Sequence, residues 1–244
     1  MRIAIIADIH ANLEALKQVL SDIDASSVDT VVNLGDMIGY GPEPEEVVDL
    51  IRRKKIPGVI GNHELAVIDQ TVRDQFTPNA QKTLKQTIAL LGAETIAFFK
   101  TLPRFLMVND FLCVHGCPPD SVTTYLHWLE APELLEIFSK SRFRLCFVGH
   151  THRLENVVCN KSGIVRTPLE AGVFSLDEQK RYIINAGSVG QPRDGNKNAK
   201  YIIWDDDKKT IETRFVSYDI ALTDEKMIER GFAVKDVQRL LLAR

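Results

Sequence analysis

The sequence has no strong excess of charge of either sign. Its 244 residues include 30 lysines and arginines against 33 aspartates and glutamates, which gives a formal net charge of -3 at pH 7. A protein that holds a long polyanion usually carries a basic stripe, because contacts to phosphate supply most of the affinity. The charge balance therefore disfavours bulk nucleic acid as a partner and remains compatible with a small phosphorylated substrate.

Long apolar runs and linkers are lacking as well. No stretch approaches the roughly 20 apolar residues that a membrane-spanning helix needs, and no charged leader precedes the first apolar run. We therefore expect a cytoplasmic protein with no membrane partner. No Ser/Gly-rich linker or charge block divides the chain, so we expect a single domain over residues 1–244. The oligomeric state is left open.

Cysteine is scarce, with four residues at Cys113, Cys117, Cys146 and Cys159. They lie in or beside apolar, strand-like runs and are too few for a disulfide scaffold, so we expect reduced and mostly buried thiols. Alternation would place Cys113, His115 and Cys117 on one side of a strand, and a zinc knuckle is the alternative. No second pair at zinc-finger spacing accompanies them, which favours the reduced thiols.

Short aliphatic strands that end in metal-binding residue types are what the sequence does contain. The run at residues 3–7 predicts a strand buried on both faces, and Asp8 and His10 follow it. Residues two apart on an extended segment point the same way, so this carboxylate and imidazole can face one cation. A helix-capping role for Asp8 is the alternative.

The same arrangement recurs twice in the next 56 residues. Predicted strands at residues 29–34 and 56–60 end in Asp36 and in the pair Asn62 and His63. Each residue taken alone is explained by a turn or a cap. Three successive strand ends with such residues indicate a site, because ligands of open α/β sheets collect beyond the carboxyl ends of the strands.

The remaining pattern predicts a helix-rich first part and a strand-rich second part. Helices are expected at residues 12–25, 43–53, 79–100 in two pieces, 130–139, 219–230 and 235–242. Strands are expected at residues 105–108 and 111–114 as a hairpin, at 144–148, and then as an antiparallel set at 154–159, 172–176, 181–185, 201–205 and 210–216. His115 follows the second strand of the hairpin, and His150 and His152 follow residues 144–148.

Collected in order, these residues resemble the motifs of the calcineurin-like metallophosphoesterases, and most of all the compact bacterial and archaeal predicted phosphodiesterases. The matching motifs are Asp8-x-His10, Gly35-Asp36, Gly61-Asn62-His63-Glu64, His115 and Gly149-His150-x-His152. They cover about the first 152 residues. The resemblance implies an α/β fold, a four-layer α/β/β/α sandwich of two mixed β-sheets flanked by helices.

The resemblance also implies a binuclear metal centre. The implied ligands form two sets joined by one carboxylate: Asp8, His10 and His152 for one ion, Asn62, His115 and His150 for the other, and Asp36 bridging both. Such nitrogen and oxygen donors suit divalent manganese, iron, zinc, nickel or cobalt. Two ions about 3.5–4 Å apart would support in-line attack of a bridging hydroxide on phosphorus.

Two further side chains are candidate substrate contacts. His63 matches the family's general acid for the departing oxygen, and the alternative is that it only hydrogen-bonds the substrate beside Asn62. Arg193, in the loop after residues 181–185, is a candidate phosphate contact. Its alternative is a surface arginine beside Asp194.

One departure from the family narrows the function. Related protein phosphatases carry Asp and Arg three and four residues after the bridging aspartate, and this chain has Gly39 and Tyr40 there. Without that arginine fork for phosphate, protein phosphatase activity is doubtful.

The resulting expectation is a metal-dependent phosphodiesterase that acts on a small phosphodiester or a nucleotide. The alternatives are a nucleotide pyrophosphatase or nuclease, a phosphomonoesterase, or a protein-interaction scaffold of the same fold. Retention of every ligand argues against the scaffold. Specificity is expected to depend on residues 66–102 and 186–198, whose roles the sequence does not fix.

Overall fold

Two mixed β-sheets form the centre of the computed structural model, which describes residues 1–243. The first sheet has the spatial order β2 (Thr30–Asn33), β1 (Arg2–Ile6), β10 (Ala199–Asp205), β11 (Thr210–Val216) and β8 (Gly172–Ser175). The second has the order β3 (Phe105–Val108), β4 (Phe111–Val114), β5 (Leu145–Val148), β9 (Arg181–Ala186), β6 (Leu154–Asn160) and β7 (Gly163–Pro168).

Helices cover the outer faces of both sheets. They are α1 (Leu13–Ala25), α2 (Pro44–Arg53), α3 (Asn62–Ile68), α4 (Gln70–Arg73), α5 (Pro78–Ala89), α6 (Ala93–Phe99), α7 (Ala131–Lys140), α8 (Ile220–Glu229) and α9 (Val234–Leu242). α1 packs against the outer face of the first sheet and α7 against the second. α5 packs against α3, α6 against α2 and α3, and α8 against α1. The expected four-layer sandwich is confirmed. Within residues 1–243, no helix is long and apolar enough to cross a membrane.

The alternation of β1 shows why the chain forms layers. Ile3 and Ile5 face the second sheet, while Ala4 and Ile6 face the helices, and all four are fully buried. A period of two places successive side chains on opposite faces, so an uninterrupted apolar strand needs cover on both sides. The buried side chains between the sheets form the intersheet core: Ile3, Ile5, Ala7, Val32, Leu34, Val59, Phe111, Cys113, Leu145, Phe147, Leu154, Leu169, Leu176, Tyr182, Ile184, Ala186, Ile202, Trp204 and Ile211.

The predicted strand at residues 56–60 is wrong. This segment makes only an isolated parallel bridge between Gly58 and Asn33, and Pro57 has no backbone N–H with which to continue a ladder. The residues after it, expected as a loop, open the helix α3. An apolar run of five residues satisfies a strand pattern locally, but its partners decide whether a ladder forms.

The predicted antiparallel set is also corrected. The strands after β5 divide between the two sheets, and β9 pairs parallel with β5 while pairing antiparallel with β6. The strand β7 was not predicted at all. Strand pairing across a fold depends on long-range packing that a local pattern does not contain.

The parallel strand pairs determine where the loops after the strands converge. β1 runs parallel to β2, and β4 runs parallel to β5, so the four strands deliver their loops to one edge of the sandwich. The two sheets meet closely there, since a Cβ on Gly149 would lie 2.7 Å from the Asp8 carboxylate. Only glycine allows this approach.

Candidate metal centre

The residues that follow the strands have left-handed backbone conformations. The φ angles of Asp8, His10, Asp36, His150 and His152 lie between +48° and +69°. The expectation that Asp8 and His10 face one point because they lie on an extended segment is therefore wrong in its reason, since β1 ends at Ile6. The side chains do converge, but through tight turns of a kind that costs non-glycine residues about 1–3 kcal/mol each and that clusters at functional sites.

All seven predicted metal ligands lie at this edge, and we call them the ligand cluster: Asp8, His10, Asp36, Asn62, His115, His150 and His152. Asp36 is central among them. Its Oδ2 atom lies 3.6 Å from Nε2 of His10 and 3.3 Å from Nε2 of His115. These two histidines belong to different predicted sets, so the Asp36 carboxylate lies between the sets.

The members of each set are also close to one another. In the first set, Nε2 of His152 lies 3.5 Å from Oδ1 of Asp8. In the second, Nε2 of His115 lies 3.0 Å from Oδ1 of Asn62. His150 groups with Asp36 and His115, with ligand atoms within 4.8 Å of one another.

Backbone carbonyls fix the orientation of the four histidines. Nδ1 of His10, His115 and His152 lies against the carbonyl oxygens of residues 38, 34 and 191, respectively. His150 uses the other nitrogen, with Nε2 3.2 Å from the carbonyl of Thr123. A neutral imidazole that donates its one N–H to a carbonyl leaves the opposite lone pair free, which is the usual orientation of a metal-binding histidine.

Unpartnered atoms show that this cluster fits a divalent cation. Nε2 of His10 and Nε2 of His152 are 3.0 Å apart although both carry lone pairs, and Oδ1 of Asp8 is buried without a hydrogen-bond partner. Buried polar groups normally find a partner. A cation between these three atoms could be coordinated by a lone pair from each, so the donor set and its geometry fit a metal site.

Burial and the Asp36 carboxylate shift the pKa values of the cluster. Burial lowers the pKa of His10 and His152 well below the usual range, so both imidazoles are neutral at pH 7. Burial, reinforced by Asp36, raises the pKa of Asp8 to about 7. Burial also lowers the pKa of His115, but the Asp36 carboxylate outweighs it and raises the value to about 9.

His63 lies beside the cluster. Its backbone N–H donates to Oδ1 of Asp36 at 2.9 Å, and its ring packs against His10, Tyr40 and Phe76. Burial lowers the pKa of His63 to about 4, and its Nδ1 is buried without a partner. A Cβ on Gly39 would lie 2.1 Å from that Nδ1. The glycine that replaces the phosphatases' aspartate therefore lets His63 pack closely and leaves Nδ1 free.

Glu64 contributes a function that the sequence interpretation did not assign. Its buried carboxylate accepts hydrogen bonds from the backbone N–H groups of Asp36, Ile38 and Gly61. It therefore fixes the loop that carries Asp36 relative to the start of α3. The glutamate three residues after the N-cap Gly61 supplies the carboxylate half of a capping box, and this spacing was the available sequence clue.

Arg193 is half-buried at the cluster. Its guanidinium carbon lies 5.8 Å from the centre of the Tyr40 ring, and Nη2 donates to the side chain of Gln191 at 3.0 Å. Asp194 pairs instead with Lys200 at 2.9 Å. The alternative of a surface arginine held by Asp194 does not match this geometry.

A cavity of about 610 Å³ opens onto the ligand cluster. Its lining includes Asn62, His63, His150 and Arg193, together with Val72, Phe76 and neighbouring residues of the expected specificity segment. Tyr125, His127 and Trp128 also line the cavity, and we call them the aromatic wall. The sequence favours a packing role for His127 and assigns none to Tyr125 or Trp128, whereas His127 is exposed in the structure. Three aromatic residues within four positions of a loop were a visible clue.

The cysteines take no part in the cluster. All four have free thiols, and three are buried. Burial raises the pKa of Cys117 to about 12, so the thiol is protonated. Within residues 1–243, the side-chain groups that could hold a metal contain His and Asp but no Cys, which does not support the zinc-knuckle alternative.

The chain is similar to known proteins over nearly its whole length. Residues 1–209 match the calcineurin-like phosphoesterase superfamily domain. An uncharacterized protein of Methanocaldococcus jannaschii is 35% identical over 248 residues, covering 99% of this chain and 98% of that protein. The crystal structure of a metallophosphoesterase from Sphaerobacter thermophilus is 38% identical with a TM-score of 0.85, covering 100% and 99%. A hypothetical protein of Pyrococcus horikoshii OT3 shares the fold, with a TM-score of 0.78 at 17% identity and coverage of 98% and 97%.

Proposed function

Because the chain belongs to the calcineurin-like phosphoesterase superfamily, we propose that it is a two-metal-dependent phosphodiesterase that hydrolyses a small phosphodiester. The family and the Sphaerobacter thermophilus relative indicate a phosphoesterase hydrolase. The observation that carries the finer proposal is the position of Asp36, whose Oδ2 atom lies within 3.6 Å of a histidine from each ligand set. One carboxylate between two donor sets is the arrangement that a binuclear centre requires.

The two donor sets would hold the two ions. Asp8, His10 and His152 would bind one, Asn62, His115 and His150 the other, and Asp36 both. Manganese, iron, zinc, nickel and cobalt are the divalent ions that this donor set suits. When bound, such ions polarise phosphoryl oxygens and make water nucleophilic at neutral pH.

The protein's own side chains would position the substrate and move a proton. Arg193 would donate hydrogen bonds to a phosphoryl oxygen, because its guanidinium lies at the cavity and its Nε atom is buried without a partner. His63 would donate a proton to the departing oxygen. Burial keeps its pKa low, and the negative charge of a bound phosphate would raise it toward the range that proton transfer needs.

The partner would be a small phosphorylated molecule. A cavity of about 610 Å³ is in the size range of small-molecule sites and does not suit a polymer that must pass through it. The nearly balanced charge of the chain favours the same conclusion.

The test is hydrolysis of bis-p-nitrophenyl phosphate by chelator-treated protein before and after addition of manganese. We expect no turnover without metal, turnover with it, and a loss of about 10³-fold or more in Asp36→Asn, because several kcal/mol of charge stabilisation would be lost. Asp22→Asn, remote from the cluster, is the matched control. Turnover that survives chelation, or an Asp36→Asn variant of normal activity, would overturn the proposal.

A further inference from the structure

Trp128 is exposed inside the cavity that opens onto the ligand cluster. Its side chain is 65% accessible, whereas the other tryptophan, Trp204, is 1% accessible. A large aromatic face left in water forgoes the free energy that burial would bring. An exposed ring that lines a cavity beside a reactive centre therefore suggests a partner that covers it.

The backbone that carries Trp128 is fixed. The short 3-10 turn Leu126–Trp128 is anchored by the fully buried side chain of Leu126. Arg166 donates hydrogen bonds to the carbonyl oxygens of Leu126 and Leu129 at 3.2 and 2.9 Å, and Glu155 holds Arg166 at 2.9 Å. The backbone position from which the ring extends is thus defined.

The aromatic wall connects this ring to the ligand cluster. Tyr125 stacks on His150, with ring centres 3.8 Å apart and an angle of 22° between the planes. Tyr125 also contacts Trp128, with ring centres 4.6 Å apart. Trp128 is therefore two ring contacts away from a predicted metal ligand, near enough for one small molecule to touch both.

The cavity that Trp128 lines is polar as well as aromatic. Gln75, Thr77 and Thr124 line the same cavity and offer amide and hydroxyl groups. The hydroxyl oxygens of Thr77 and Thr124 accept hydrogen bonds from Ala80 N–H and the Ser121 hydroxyl. Their own O–H groups and the Gln75 amide can still hydrogen-bond to the edge of a heterocyclic base.

We propose that Trp128 and Tyr125 form a stacking subsite for a purine or pyrimidine base, so that the substrate is a nucleotidyl phosphodiester whose phosphate lies at the ligand cluster. This inference rests on the proposed phosphodiesterase function for the position of the phosphate. Stacking on an aromatic side chain contributes to binding through the face of any base. The subsite therefore selects for the presence of a base more than for its identity.

A pair of esters with the same leaving group provides the kinetic test. Thymidine 5′-p-nitrophenyl phosphate carries a base, and methyl p-nitrophenyl phosphate does not. We expect the wild-type protein to prefer the thymidine ester in kcat/KM, and Trp128→Ala to reduce that preference about 5- to 100-fold, mainly through KM. Trp128→Phe should retain most of the preference. Phe105→Ala removes an exposed aromatic ring outside this cavity and should retain all of it.

A binding measurement gives a readout that does not depend on turnover. Because Trp204 is buried, quenching of tryptophan fluorescence by adenosine 5′-monophosphate should report on Trp128, and ribose 5-phosphate is the base-free comparison. We expect tighter binding of the adenosine compound and loss of quenching in Trp128→Phe. Phosphate release in the same samples shows whether either compound is consumed.

The two proposals fail in different ways. Hydrolysis of methyl p-nitrophenyl phosphate without any preference for the thymidine ester, and equal binding of the two ribose phosphates, would overturn the stacking subsite and leave the phosphodiesterase intact. Quenching by adenosine 5′-monophosphate in a protein that hydrolyses neither ester would support the subsite and overturn the proposed function.

Discussion

The ligand cluster and the intersheet core are neighbours in the same two sheets, but they contribute to the protein in opposite ways. The core consists of alternate side chains of regular strands, and each fully buried aliphatic one contributes about 1.5–3 kcal/mol. The cluster buries histidines and aspartates against one another on left-handed backbone. Such groups cost stability unless something pairs with them. The comparison teaches that the stability of the core keeps the cluster folded despite the strained backbone of the cluster and the repulsion between Asp8 and Asp36.

This comparison makes distinct predictions for the two regions. Substitutions in the cluster should change activity strongly, and neutralising Asp8, whose pKa is raised, should leave the metal-free fold more stable. Substitutions in the core should change stability strongly and leave the chemistry of the folded protein unchanged.

His63→Gln should have the largest effect after loss of a metal ligand. If His63 protonates the departing oxygen, the variant should lose about 10²- to 10⁴-fold in kcat on a diester with an alkyl leaving group. The loss should be small with p-nitrophenyl esters, because p-nitrophenolate departs without a proton. Rates of the two ester classes measure the difference. Gln75→Ala, which also lines the cavity, is the control, and equal losses on both classes would leave only a hydrogen-bonding role for His63.

Ile202→Ala tests the core. Ile202 is fully buried between the sheets and pairs with Ile5 across β1 and β10. Removing its side chain should lower the free energy of unfolding by about 2–5 kcal/mol, as measured in urea, with kcat unchanged at temperatures where the protein is folded. Val173→Ala, on an exposed position of β8, should cost less than about 0.5 kcal/mol. A mild Ile202→Ala variant would contradict the assignment of stability to this region.

Asp8→Asn should stabilise the metal-free protein while weakening metal binding. The pKa of Asp8 is raised from 3.8 to about 7 by burial and by Asp36, so the fold tolerates the neutral acid better than the carboxylate. The stability that the protonated Asp8 contributes is therefore fully present below pH 3.8 and is lost as the pH rises through about 7. Asparagine does not ionise, so the variant should be more stable than the wild type at pH 8 by on the order of 4 kcal/mol. Urea unfolding in chelator at pH 5 and pH 8 measures this, and a destabilised variant at pH 8 would show that the cluster does not strain the fold.

Asp22→Asn should have the smallest effect. Asp22 accepts two hydrogen bonds from Arg214 and one from Tyr201, far from the cluster. Arg214 and Tyr201 together lower the pKa of Asp22, so its stabilisation is present above pH 3.8 and is lost as the pH falls through the lower folded value. Since the pair is partly exposed to solvent, we expect a loss of about 0.5–1 kcal/mol at pH 7. Urea unfolding of variant and wild type should differ at pH 7, and the difference should shrink as the pH is lowered below 3.8.

The sequence was sufficient to predict the family and the convergence of the seven ligands, and the match over residues 1–209 confirms the family. Strand ends such as Asp36 are visible locally, because an apolar run and the polar residue after it are adjacent in the chain. The route to convergence was not visible. The left-handed turns at Asp8 and His10 depend on packing between two sheets, and so does the failure of residues 56–60 to form a strand.

The aromatic wall is a second feature that the sequence alone does not predict. Nothing in the sequence around Trp128 states that Arg166, 38 residues later, holds its turn beside His150. Long-range hydrogen bonds of this kind decide which side chains share a cavity, and they appear only in the folded structure.

The most direct test of the central claim is anomalous diffraction from crystals grown with manganese. We expect two peaks about 3.5–4 Å apart, one near Asp8, His10 and His152 and the other near Asn62, His115 and His150, with the Asp36 carboxylate contacting both. A single peak, or two peaks of which only one contacts Asp36, would contradict the binuclear centre on which the proposed function depends.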